Sequence, residues 1–170
     1  MNLLEWTFWI AFAIVFYAFV GYGIVLYVMV LIKRLINKNV PHSEILFEPD
    51  ITLVIPCFNE ADILIEKINN CTRLDYPAAK LTLVFITDGS SDNSGKVLQQ
   101  YPFIKVLHEN RRAGKTAAEN RAMLFVNTPF VIFSDANTML NKDAVKNIVK
   151  HFANDMVGCV SGEENYYRYI

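Results

Sequence analysis

ITLVIPCFNEADILIEKINN, residues 51–70, changes its period halfway along. Residues 51–56 are a short, nearly continuous apolar run, the pattern of a strand covered on both faces. Beyond it the apolar positions fall at Ile63, Leu64, Ile68 and Cys71, a helical spacing. A buried strand feeding an amphipathic helix opens an alternating strand–helix fold, provided that the unit repeats.

It does repeat. LTLVFI (81–86) reads as a second buried strand, with Pro77 marking the connection before it. DGSSDNSG (88–95) supplies turn and cap residues, and a short helix is expected over 94–101. FIKVLHE (103–109) is a strand of less uniform burial, NRRAG a loop, and KTAAENRAMLFV (115–126) a helix by propensity. FVIFS (130–134) is another strongly apolar strand. Asn141 or Asp143 would cap a helix running to about residue 153, and MVGCVSG (156–162) reads as one more strand. The expected class is α/β, a mainly parallel sheet with helices on both faces.

Working outward, residues 6–32 contain no charge, and a bilayer core needs roughly 20 helical residues. A cleaved signal peptide would begin with basic residues, whereas here the N-terminal side carries Glu5, and Lys33, Arg34 and Lys38 follow the apolar run. The stretch reads as a single membrane-spanning helix with its C-terminal side in the cytoplasm. The organisation is therefore residues 1–35 as the spanning helix and its flanks, 36–50 as a juxtamembrane linker with two prolines, and 51–170 as the α/β part. A net charge of −1 gives no electrostatic reason to expect nucleic acid. Cys57, Cys71 and Cys159 show no CxxC spacing and are expected to be reduced and structural.

In such sheets ligands bind beyond the carboxyl ends of the strands. Polar residues gather at four of those ends: Asn59 and Glu60, then Asp88, then Arg111, Arg112 and Lys115, then Asp135 and Asn137. Local structure is the competing explanation for each. Asn59 with Glu60 would suit a helix cap, and Asp88-Gly89-Ser90-Ser91-Asp92 is rich in turn residues. Three cations around Gly114 at a helix start make an anion site from side chains and helix terminus together. A phosphate loop of the Walker type would need glycine where Glu109 stands, which removes that reading. Asp135 and Asn137, at i and i+2 past a strand, either close a turn or converge on a cation and ribose or phosphate oxygens.

Taken in order, these motifs resemble the family 2 glycosyltransferases, inverting enzymes on the GT-A fold. The resemblance runs from residue 51 to about 165. Ile55-Pro56-Cys57-Phe58-Asn59-Glu60 is similar to the family's opening nucleotide-binding strand and turn. Asp88-Gly89-Ser90 is similar to its second motif, and Arg112-Ala113-Gly114-Lys115 to its phosphate-contacting segment. Asp135-Ala136-Asn137 is similar to its DxD motif, with an amide in place of the last acid. The N-terminal helix resembles the subgroup that makes extracellular polysaccharides.

The resemblance implies a UDP-sugar donor, UDP-N-acetylglucosamine among the candidates, a divalent metal (Mg²⁺ or Mn²⁺), and a glycan or lipid-linked acceptor. Donor-binding residues carried over are Pro56, Phe58, Asn59, Glu60, Asp88, Arg112, Lys115 and Asp135, with Asp135 and Asn137 toward the metal. It places the chain at the plasma membrane, the inner membrane of a bacterium, and puts the general base beyond Ile170. Two rivals stand beside this reading: a remnant that only binds nucleotide or serves as a membrane stub, and a nucleotidyltransferase. The second would show a glycine-rich basic loop after the first strand, where Cys57-Phe58-Asn59-Glu60 stands.

Overall fold

A computed structural model describes residues 2–36 and 47–162, which fall into two separate units divided after Ile45. In the first, α1 (Leu3–Phe16) passes through a π-helical turn at Tyr17–Gly21 into α2 (Tyr22–Ile36). The segment Leu3–Lys33 has 31 residues with a mean hydropathy of 2.3, and none of it is buried. At 1.5 Å rise per residue it reaches about 46 Å, beyond the roughly 30 Å hydrocarbon core of a bilayer. It is long and apolar enough to cross a membrane.

The second unit is an α/β domain. Its strands are β1 (Ile51–Cys57), β2 (Leu81–Asp88), β3 (Lys105–Glu109) and β4 (Phe130–Phe133). They form one sheet in the order β3-β2-β1-β4, and every pairing is parallel. Between and after them lie α3 (Ala61–Thr72), α4 (Ser94–Leu98), α5 (Lys115–Met123) and α6 (Ala144–Val149). The period of two along β1 divides the helices. Ile51, Leu53 and Ile55 face a core with Leu64, Ile68, Leu98, Val145 and Val149, from α3, α4 and α6. Val54, with Val84 and Ile86, faces Ala118 and Ala122 of α5. Helices therefore cover both faces, as the strand–helix alternation requires. Cys57 and Cys71 are buried free thiols, and Cys159 is exposed.

Most of the expected linker, residues 37–46, lies outside the described residues. Its last part belongs to the domain surface: the Tyr76 hydroxyl donates to the Pro49 carbonyl at 2.6 Å, and Phe47 meets the Phe130 ring edge-on. The strand expected at 156–162 is not formed. Apolar composition alone makes no strand, because a strand exists through ladder bonds, and among the described residues β4 pairs only with β1. The chain there bends back on itself instead, with Val157 N–H donating to the Asn154 carbonyl and Met156 N–H to Asn154 Oδ1. Glu163 and Glu164 lie outside the described residues.

Candidate functional site

The chain winds from β1 through β2 to β3 on one side, then returns to place β4 on the other side of β1. That reversal makes a crevice beyond the carboxyl ends of β1 and β4, the general ligand position in open parallel sheets. A cleft of about 210 Å³ opens there. Pro56, Phe58, Glu60, Asp88, Arg112, Lys115, Asp135 and Asn137 all line it. Asn59 does not.

Asn59 serves the turn itself. It takes φ 54°, a left-handed conformation that asparagine tolerates better than most residues. Its Oδ1 accepts Ser91 N–H at 2.8 Å, and its own N–H donates to Ser90 Oγ at 3.2 Å. The cap of α3 is Glu60, not Asn59, and the first helical N–H, of Ala61, is held by Asp92 Oδ2 at 2.9 Å. The turns after β1 and β2 are thus laced together, and the lacing aims Phe58 and Glu60 at the cleft. Burial pushes the Glu60 carboxyl above its usual range, against the N–H of Phe58 that bonds it at 3.3 Å; Asp135 and Asp92 push the same way.

Asp88 organises the basic loop. Its Oδ2 accepts the backbone N–H groups of Ala113 at 2.9 Å and Gly114 at 2.7 Å, while Oδ1 accepts Arg121 Nη2 at 3.0 Å. Burial works against the charge on this carboxylate, but those donors outweigh it and hold its pKa below the usual range. The loop must come close to receive them. Gly89, at φ 70°, lies so near Arg112 that an added Cβ would stand 2.5 Å from the Arg112 nitrogen. Arg112 then stacks its guanidinium 3.7 Å from the centroid of Phe58. Gly114, at φ 94°, turns the chain into α5, whose positive N-terminal end borders the cleft.

Lys115, the first residue of α5, places Nζ 2.5 Å from Asp135 Oδ1, with both side chains about half exposed. Asn137 stands two residues on, across a turn closed by Thr138 N–H on the Asp135 carbonyl. Among the described residues no group of three or more His, Cys, Asp or Glu could hold a metal alone. One carboxylate and one amide still suit a hard cation that completes its shell with phosphate oxygens and water. The donor set therefore fits a metal that arrives with a phosphorylated ligand.

Sequence reasoning missed Arg121 and Asp92. Arg121 falls three residues after Ala118 and beside Ala122, the buried side of α5, and that position on the stripe was the available signal. Asp92 looked like a local turn residue, whereas it also caps a helix that begins 31 positions earlier.

The Glycosyl transferase family 2 profile matches residues 52–168. The poly-β-1,6-N-acetyl-D-glucosamine synthase of Staphylococcus aureus strain MSSA476 is 34% identical over 118 residues, 66% of this chain and 28% of that protein. The chain therefore spans less than a third of the length of this curated relative. Among solved structures, the mannosyltransferase PcManGT from Pyrobaculum calidifontis, in complex with GDP-Man and Mn²⁺, superposes with a TM-score of 0.68 and 28% identity. The match covers 83% of this chain and 44% of that one. Staphylococcus aureus TarS 1–349 in complex with UDP-GlcNAc gives a TM-score of 0.54 at 22% identity, over 58% of this chain and 29% of that one, a likeness of fold.

Proposed function

We propose that this chain, which belongs to glycosyl transferase family 2, forms the donor side of an enzyme that moves a sugar from a UDP-sugar to a glycan or lipid-linked acceptor. The observation that carries the proposal is the convergence of Arg112, Lys115, the α5 N-terminus and Asp135 on one cleft at the switch point of the sheet. Two cations and a helix N-terminus form a site for a diphosphate. The uracil lies toward Phe58 and Asp88. Asp88 has spent Oδ2 on the loop, which leaves the second lone pair of Oδ1 for a base N–H. Pro56 and Glu60 form the wall beneath, and Asn59 contributes by holding that wall in place.

Asp135 and Asn137 face the ribose and a divalent cation, Mg²⁺ or Mn²⁺. Such an ion, when bound, neutralises charge that builds on the leaving diphosphate. The Mn²⁺ in the similar mannosyltransferase supports this assignment. The name of the staphylococcal relative supports N-acetylglucosamine as the sugar and an extracellular or envelope polysaccharide as the product. In an inverting transfer a carboxylate removes the acceptor's proton as its oxygen attacks the anomeric carbon; none of the cleft residues is assigned that role. The helix Leu3–Lys33 anchors the enzyme in the plasma membrane, with Lys33, Arg34 and Lys38 on the cytoplasmic side, where the donor is made.

The similar proteins differ in nucleotide, so the base is the point to test. The detergent-solubilised chain is titrated with UDP and with GDP in Mn²⁺. Tighter binding of UDP is expected. A preference for GDP would overturn the uridine assignment, and no binding of either would overturn the donor reading.

A further inference from the structure

Lys67 is fully buried in α3, on the same stripe as Leu64, Ile68 and Cys71. Its ammonium donates to Ser134 Oγ at 2.8 Å and to the Thr138 carbonyl, so it bonds both ends of the segment that carries Asp135, Ala136 and Asn137. One turn along α3, Asn70 pairs with Leu140 in both directions: Nδ2 donates to its carbonyl at 2.8 Å and Oδ1 accepts its N–H at 2.9 Å. The segment from 134 to 140 forms no strand or helix. Four bonds from α3 hold it, beside the turn at Asp135–Thr138, the Ser134 N–H on the Val54 carbonyl of β1 and the Lys115–Asp135 pair.

A buried ammonium is costly to desolvate, and among the described residues both acceptors of Lys67 are uncharged. Methionine would fill the same space without that cost. We infer that Lys67 is a positioning residue of the cleft: it sets the turn that presents Asp135 and Asn137, and holds its buried amino group beneath a site built for an anionic ligand.

The functional half of this inference rests on the donor reading, and the test separates the two. Hydrogen exchange is followed in the full chain in detergent, comparing the wild type with Lys67→Met and with the milder Ser134→Ala. Exchange in residues 134–140 is expected to rise at least tenfold in Lys67→Met and less in Ser134→Ala, with residues 51–57 unchanged. In parallel, UDP binding in Mn²⁺ is expected to weaken at least fivefold in Lys67→Met. Unchanged exchange at 134–140, or an equal rise across β1, would overturn the positioning role. Faster exchange with full UDP affinity would overturn the link to the cleft. A wild type that binds no UDP would overturn the donor reading, while the exchange data still decide the positioning. Should Lys67→Met fail to fold, unchanged exchange in Ser134→Ala would count against the role just as directly.

Discussion

Lys115 Nζ lies 2.5 Å from Asp135 Oδ1, joining the start of α5 to the end of β4 across the mouth of the cleft. The pair is about half exposed, and such pairs contribute roughly 0–1 kcal/mol. An anionic ligand can therefore take over the ammonium at small cost. Lys115→Ala is expected to change the thermal midpoint of the domain by no more than about 1 kcal/mol equivalent. Differential scanning calorimetry checks this, and a large loss would mean that the pair holds the fold.

The two left-handed glycines should respond differently. Gly89→Ala adds a methyl group 2.5 Å from the Arg112 nitrogen as well as the backbone penalty, and a loss of about 3 kcal/mol is expected. Gly114→Ala meets open space and should lose about 1 kcal/mol through its φ alone. Urea unfolding of both variants measures the difference. Equal losses would remove the close approach of the two loops as the reason for Gly89.

Asp88 gives the domain part of its acid sensitivity. Its folded pKa is lowered by Ala113, Gly114 and Arg121 against the cost of burial, so the native state binds fewer protons than the unfolded chain. That stabilisation is present above the unfolded carboxylate value of about 3.9 and is lost as pH falls through the lower folded value. Melting profiles from pH 7 downward should fall less steeply below about pH 4 for Asp88→Asn than for the wild type. At neutral pH the variant should be less stable by about 2 kcal/mol, the worth of hydrogen bonds to a charged group. Parallel profiles would assign the acid sensitivity elsewhere.

The sheet was legible because parallel strands covered on both faces must be apolar along their length, as β1 and β2 are, and because the half-buried edge strand β4 is apolar too. The cleft was legible because a strand that leaves a buried sheet delivers its next polar residue to the carboxyl edge, as with Asp88 and Asp135. Partners distant in sequence were not. Nothing near Asp88 says that Arg121, 33 residues on, completes its carboxylate, and nothing near Ser134 points to Lys67. Lys67 did carry a signal, since it interrupts the apolar stripe of α3 between Leu64 and Ile68. The segment 156–162 misled for the opposite reason: its composition suits a strand, but pairing is a property of neighbours.

Asn137 offers a gain-of-function test. Asn137→Asp places a second carboxylate two residues from Asp135, and charge is the main determinant of affinity for a hard cation. Mn²⁺ affinity in the presence of UDP, followed by the loss of the free-ion paramagnetic resonance signal, is expected to rise several-fold. No change would place the Asn137 side chain away from the cation.

The most direct test is calorimetric titration of the detergent-solubilised chain in Mn²⁺ with UDP and with uridine, beside Lys115→Ala. A nucleoside-diphosphate cleft should give saturable UDP binding, uridine weaker by at least tenfold, and a comparable loss for UDP in a Lys115→Ala sample that melts like the wild type. A folded wild type that ignores UDP, or binds uridine equally well, would contradict a cleft built around a diphosphate.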